Sequence, residues 1–234
     1  MSSFDMYVNG EYLKNNPTWG VEDAAWKSDL IQQLMTSNHL HPNEIIEVGC
    51  GAGAILDDLS QKNKNISSFK GYDISPQAIA MARTKATPQL QFFQEDITVN
   101  DQLYTDVMLV IDVVEHIPDL YGFLQKIRTK SKHFIFHIPL DLSCRTILKP
   151  HVLLQQREAV GHIHYFSKEM VLWFLSDAGY EIVDWIYTKP MIDQQPAGSF
   201  KNAVKKMLRN ISFSLNKNLS VKLWGGYSMM ILTK

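Results

Sequence analysis

Acidic residues are missing from the last part of this 234-residue chain. None follows Asp193, whereas Lys201, Lys205, Lys206, Arg209, Lys217, Lys222 and Lys234 do. The overall charge is nevertheless close to neutral, at −1, which removes the usual electrostatic reason to expect a nucleic-acid partner. Cysteine is scarce. Cys50 and Cys144 are too few for a disulfide framework, and a reduced, cytoplasmic setting fits best. Apolar runs long enough to span a bilayer are lacking. The opening Met1-Ser-Ser-Phe-Asp-Met-Tyr7 has no basic region leading into an apolar one, so no secretory signal is expected. Internal repeats and low-complexity segments are absent as well. What is present, 45% hydrophobic and 20% charged residues, is the composition of a soluble globular protein, and the length suits one domain with insertions.

The chain is organised around Ile45-Ile46-Glu47-Val48-Gly49-Cys50-Gly51-Ala52-Gly53. An apolar, β-branched run reads as a buried strand, and Ala54-Ile55-Leu56-Asp57-Asp58-Leu59 reads as the opening of a helix. Glycines at alternate positions between them let the backbone turn sharply and let a flat ligand lie against it, while the helix start offers free N–H groups. Asp73 ends the next strand, Ser68 to Asp73, at about the distance where a ribose-binding carboxylate sits in a nucleotide-binding βαβ unit. A nucleoside cofactor at the C-terminal edge of a parallel sheet is therefore expected. The spacing is Gly-x-Gly-x-Gly, whereas the dinucleotide fingerprint is Gly-x-Gly-x-x-Gly, with Ala54 or Ile55 where its last glycine would stand.

Glu47-Val-Gly-Cys-Gly-Ala-Gly53 resembles motif I of the class I S-adenosylmethionine-dependent methyltransferases. Gly71-Tyr-Asp-Ile-Ser75 resembles that family's second-strand motif, Gln94-Glu-Asp-Ile97 its adenine-contacting motif, and the stretch from Asp106 to Pro118 its fourth-strand signature. The resemblance is tight over residues 47–118 and looser afterwards. It implies an α/β fold: a Rossmann-like, doubly wound, seven-stranded sheet whose last strand is antiparallel, between strands five and six.

The periodicity agrees. An irregular arm with aromatic anchors over residues 1–19 precedes a helix at about 20–37. Strands are expected near 44–48, 67–73, 90–93, 107–111, 134–138, 180–187 and 227–232, with helices near 53–62, 75–85, from Pro118, and from Ser167 to Gly179. Residues 139–166 show no clear periodicity. Phe200, Val204, Met207, Leu208 and Ile211 recur at helical spacing with lysines opposite. Residues 1–234 thus read as one domain: an N-terminal arm and helix over 1–40, a cofactor-binding half over 41–139, and substrate-side insertions at 140–166 and 189–224.

The resemblance implies S-adenosylmethionine as cofactor and S-adenosylhomocysteine as product. Cofactor-binding positions are Glu47, Gly49, Cys50, Gly51, Gly53, Asp73, Ile74, Asp96, Ile97, Asp112 and Val113. Asp73 takes the ribose hydroxyls or caps the following helix, a role that Ser75 also fills. Asp96 and Ile97 meet adenine, and Asp112 lies near the methionine end. Cys50 is not read as a nucleophile, since transfer from a sulfonium needs no covalent enzyme intermediate. His116, beside Glu115, is a base, a substrate contact or a helix cap. His162, in Gly161-His-Ile-His-Tyr165, is the better match to a pocket histidine able to take a proton. Tyr12, Trp19, His164 and Tyr165 are substrate-side candidates. No histidine–carboxylate grouping has metal-ligand spacing in the sequence, so no metal is expected.

The implied reaction is methyl transfer to an O or N atom of a small-molecule, saccharide or lipid-linked acceptor by direct in-line displacement. A protein acceptor, a non-catalytic binding protein of the same fold and an NAD-dependent oxidoreductase are the alternatives. The basic 200–222 segment holds an anionic acceptor, rests on an anionic membrane surface or is a solvated lysine face.

Overall fold

The computed structural model describes residues 5–194 and 198–234; the first four residues of the expected arm lie outside them. Seven strands form one sheet in the order β3-β2-β1-β4-β5-β7-β6. They are β1 (Glu44–Val48), β2 (Ser68–Asp73), β3 (Leu90–Gln94), β4 (Thr105–Ile111), β5 (Ser131–Leu140), β6 (Ile182–Thr188) and β7 (Tyr227–Thr233). The pairs β1–β2, β1–β4, β2–β3 and β4–β5 are parallel, and β7 runs antiparallel to both β5 and β6.

Helices alternate with the strands: α1 (Asp5–Val8), α2 (Glu11–Asn15), α3 (Ala24–Ser37), α4 (Ala54–Lys62), α5 (Pro76–Ala82), α6 (Leu120–Ile127), α7 (Cys144–Leu148), α8 (His151–Val160), α9 (Lys168–Asp177), α10 (Pro190–Asp193), α11 (Phe200–Leu215) and α12 (Lys217–Trp224). Successive strand residues point to opposite faces, and the core divides accordingly. Val107, Leu109, Met230 and Leu232 pack with Ile31 and Leu34 of α3, Leu56 and Leu59 of α4 and Ile79 of α5. Met108, Val110, Met229 and Ile231 pack on the other face with Phe123, Leu124 and Ile127 of α6 and Phe174 and Leu175 of α9. The central strand β4 is apolar and buried from Val107 to Ile111 because both faces are covered.

Three expectations are corrected. The arm is not irregular: it holds α1 and α2. The helix expected from Pro118 starts at Leu120, because the Asp119 carboxylate accepts from Gly122 N at 3.0 Å and caps it. The aperiodic stretch holds α7 and α8. Helix α8 buries no residue, so nothing selected an apolar stripe that periodicity would reveal. The apolar stripe of α11 faces outward: Met207, Ile211 and Leu215 are exposed, while Arg209 on the other side is buried.

Candidate active site

The C-terminal ends of β1, β2 and β4 open into a cavity of about 520 Å³. Its floor is the glycine loop. Gly49 and Gly53 have φ of 66° and 73°, where a side chain is strained. Neither has room for one: a Cβ on Gly49 would meet Val113 at 2.7 Å, and one on Gly53 would meet Phe92 at 2.5 Å. The loop is tied to β2 through Asp73, whose Oδ2 accepts from Gly51 N at 2.9 Å and whose Oδ1 accepts from Ser75 N at 2.8 Å. Ser75, not Asp73, caps α5, its hydroxyl accepting from Ala78 N at 3.3 Å. Burial pushes the Asp73 carboxyl up from its ordinary value.

Thirteen of the expected site residues line this cavity: Tyr12, Trp19, Glu47, Gly49, Cys50, Gly51, Asp73, Ile74, Asp96, Ile97, Asp112, Val113 and His116. Gly53 sits behind the loop and shapes it. Tyr7, Tyr12 and Trp19 form an aromatic wall, with ring centroids 4.9 and 4.6 Å apart along the series. Among the described residues, two buried polar atoms of the cavity lining have no partner, Glu47 Oε2 and Trp19 Nε1. Burial drives the Glu47 carboxyl well above its usual range, Lys27 opposing and Asp73 adding to the effect. Burial likewise raises the Cys50 thiol, which leaves it un-ionised, in keeping with a structural role.

Asp112 is engaged from both sides. Its Oδ1 accepts from His137 Nδ1 at 2.6 Å and its Oδ2 from Lys27 Nζ at 2.8 Å, and His137 Nε2 lies 2.9 Å from the Thr188 hydroxyl. Burial alone would raise this carboxyl, but the imidazole and the ammonium outweigh it and hold it well below the carboxylate range. The backbone here is unusual for a non-glycine residue, with φ of 52°.

A second cluster stands beside His116. The amides of Ile163 and His164 donate to the Glu115 carbonyl at 2.9 and 3.1 Å, which docks the Gly161–Tyr165 segment against the end of β4. His162 thereby meets His116, ring centroids 5.0 Å apart. His162 Nδ1 donates to Asp141 Oδ2 at 2.8 Å, leaving Nε2 without a proton in the neutral ring. The Tyr7 hydroxyl donates to the Val160 carbonyl at 2.9 Å and lies 2.9 Å from His116 Nδ1. Both Nε2 atoms lie 3.9 Å from Glu115 Oε1. Among the described residues, neither oxygen of this fully buried carboxyl has a hydrogen-bond partner. Burial pushes Glu115 well up, with Asp112 and Asp141 adding. Burial and the neighbouring imidazole lower His116 to about 4.

Glu115, His116 and His162 each offer a ligand atom, all within 4.8 Å of one another. The sequence spacing that argues against a metal does not show this, because His162 arrives from a remote segment. The other two substrate-side candidates lie elsewhere. His164 Nε2 faces the Ile117 carbonyl at 2.8 Å and lines a smaller hollow with Trp173 and Phe174. The Tyr165 hydroxyl donates to the Leu153 carbonyl at 2.9 Å, fastening α8. Tyr7, Lys27, His137 and Asp141 are site residues that sequence reasoning missed. Each acts on a partner far along the chain, so no local motif marks it.

Residues 22–184 match the family model described as a methyltransferase domain. The chain is 24% identical over 138 residues to a ubiquinone biosynthesis O-methyltransferase of Rickettsia akari, covering 53% of this chain and 55% of that protein. It is 22% identical over 169 residues to the protein of the same name from Actinobacillus pleuropneumoniae, covering 64% and 63%. It thus spans only part of the length of these curated relatives. Its fold is that of the magnesium protoporphyrin IX methyltransferase from Synechocystis, solved with bound S-adenosylhomocysteine, at a TM-score of 0.59, 15% identity and coverage of 89% and 82%.

Proposed function

The chain belongs to the methyltransferase domain family, and from that premise we propose that it transfers the methyl group of S-adenosylmethionine to a hydroxyl oxygen of a small, ring-bearing acceptor. The observation that carries this reading is the pair of unpartnered buried atoms, Glu47 Oε2 and Trp19 Nε1, on the wall of a cavity floored by a glycine loop. A buried acceptor and a buried donor without partners are costly unless a ligand satisfies them, and a zwitterionic amino-acid end brings both complements. Asp73 and Asp96 line the same cavity, and on this reading they take the ribose and the adenine. Asp112 holds Lys27 and His137 in place through its two oxygens.

The sulfonium makes the methyl group electrophilic, so the protein's task is placement. Well-oriented reactants gain roughly 7–11 kcal/mol from it. The Tyr7–Tyr12–Trp19 wall suits a flat acceptor. His162, oriented by Asp141, receives the hydroxyl proton at Nε2, a contribution on the order of 10²–10⁴-fold. The names of the curated relatives support an oxygen acceptor. The test is thermal unfolding of the full chain with S-adenosylmethionine, S-adenosylhomocysteine or NAD. Ligand at a hundred times its dissociation constant adds about 2.7 kcal/mol. A rise with the sulfur nucleosides that disappears in Asp73→Ala is the expected result. A rise with NAD alone overturns the cofactor.

A second reading concerns the same histidines. Two imidazole Nε2 atoms facing a carboxyl that has no partner among the described residues form an arrangement that a divalent cation satisfies. Asp141 and Tyr7 already fix the ring orientations as outer partners of metal-bound histidines do. A bound cation polarises an acceptor hydroxyl. Under this reading Mn²⁺ or Zn²⁺ raises the unfolding temperature of the wild type and not of Glu115→Gln. An unchanged wild-type midpoint assigns His162 to the proton alone.

A further inference from the structure

Helix α11 is turned inside out for a surface helix. On a helical wheel Phe200, Val204, Met207, Leu208, Ile211 and Leu215 fall on one side. That side points away from the sheet: Phe200 is 84% exposed and Leu215 83%. The attachment to the body is made by the opposite face. Arg209 donates to the Trp224 carbonyl at 3.2 Å, Phe213 stacks on Tyr227 with centroids 5.3 Å apart, and the Ser212 hydroxyl lies 2.8 Å from that of Ser220. Helix α12 continues the exposure with Leu219 and Leu223. Monomeric proteins rarely leave so continuous an apolar surface bare without a use for it.

The charge around the stripe selects the occupant. From residue 194 onward the charged side chains are lysines and an arginine, with no acid among them. Lys201 and Lys205 border the stripe on one side, and Lys217 and Lys222 stand on α12. Lys222 is paired with Glu169 at 2.7 Å, whereas Lys201 and Lys205 are exposed. A second copy of the chain would bring one basic rim against another. An anionic lipid surface meets both features, apolar chains beneath the stripe and negative headgroups beside the lysines.

The topology puts this face in a useful place. Strand β6 ends at Thr188, which pairs with Ser228, and β7 begins at Tyr227, which pairs with Leu140 at the end of β5. The α10–α12 excursion therefore leaves and re-enters the sheet at the edge that carries the glycine loop. Among the described residues no helix is long and apolar enough to cross a membrane, so the contact is in the interface plane. We propose that α11 and α12 dock this protein on anionic lipid bilayers, with the apolar stripe in the headgroup boundary and the cavity edge at the membrane.

Flotation of the full chain with vesicles of phosphatidylglycerol and phosphatidylcholine, against phosphatidylcholine alone, tests this without reference to activity. The wild type is expected to float with the anionic vesicles and to be released by high salt. Partition should fall at least about tenfold in the Ile211→Glu/Leu215→Glu variant, since two buried apolar contacts are replaced by charges. Lys201→Glu/Lys205→Glu should lose the preference for anionic lipid. Both pairs are solvent-exposed, so the unfolding midpoint should hold, which separates lost docking from lost folding. No flotation of the wild type, or equal flotation of the Ile211→Glu/Leu215→Glu variant, overturns the proposal. So does a wild-type dimer in light scattering that this variant dissociates, which would assign the stripe to self-association.

Discussion

At the scale of single residues the site spends stability to hold charge where a ligand needs it. Glu47 is the plainest case. A carboxyl whose pKa is raised by folding binds its proton more tightly folded than unfolded. Its contribution is fully present below its ordinary value of 4.5 and is lost as pH rises. Glu47→Gln removes that loss. The variant should match the wild type near pH 4.5 and exceed it at pH 8 by about 1 kcal/mol or more in urea unfolding, while its affinity for S-adenosylmethionine falls at least about tenfold. Equal stability at both pH values would show that Glu47 does not carry the strain ascribed to it. Among the expected residues that reach the cavity, Glu47, Gly49, Gly51, Asp73 and Asp96 sit inside contiguous motifs. Tyr7 contacts His116, and Asp141 contacts His162, across long stretches of chain. Only folding brings such partners together, so their roles left no trace in the spacing.

At the scale of elements, the turn between β1 and α4 distinguishes two glycines that look alike in sequence. Both Gly51 and Gly53 have positive φ, but a Cβ on Gly51 finds its nearest neighbour at 3.6 Å, in Trp19, while one on Gly53 meets Phe92 at 2.5 Å and the Ala82 side chain at 3.0 Å. Gly51→Ala should therefore cost about 1 kcal/mol, the conformational penalty alone, and Gly53→Ala about 2–4 kcal/mol, with overpacking added. Urea unfolding of the two variants decides this, and equal losses would contradict the packing argument. The strands and the helices that cover the sheet follow from periodicity because burial imposes it. Helix α8 buries no residue, so the pattern that marks other helices was absent there, whereas in α11 it marked a helix without saying which side faces the sheet.

At the scale of the whole molecule, the doubly wound sheet and the reversed last strand between strands five and six were legible through the family resemblance that the ordered motifs carry. What the linear pattern did not contain is the arrangement of the two insertions and the convergence of Glu115, His116 and His162. These depend on the ends of β4 and β5 lying side by side. The position of β7 has one further consequence. It lies between β5 and β6 and bonds to both, yet it is the last strand of the sheet to be synthesised. Until Tyr227–Thr233 emerges, β6 has no neighbour in the sheet and the outer edge of β5 is unpaired. The half of the molecule carrying β1–β4 is free to assemble early through its short-range βαβ contacts, while the other half waits on pairings of long sequence separation. In the interval the unpaired edge of β5 and the apolar flank of α11 are both bare. The nascent chain thus passes through a stage with strong reasons to be shielded, by a chaperone or by the surface on which it will finally rest.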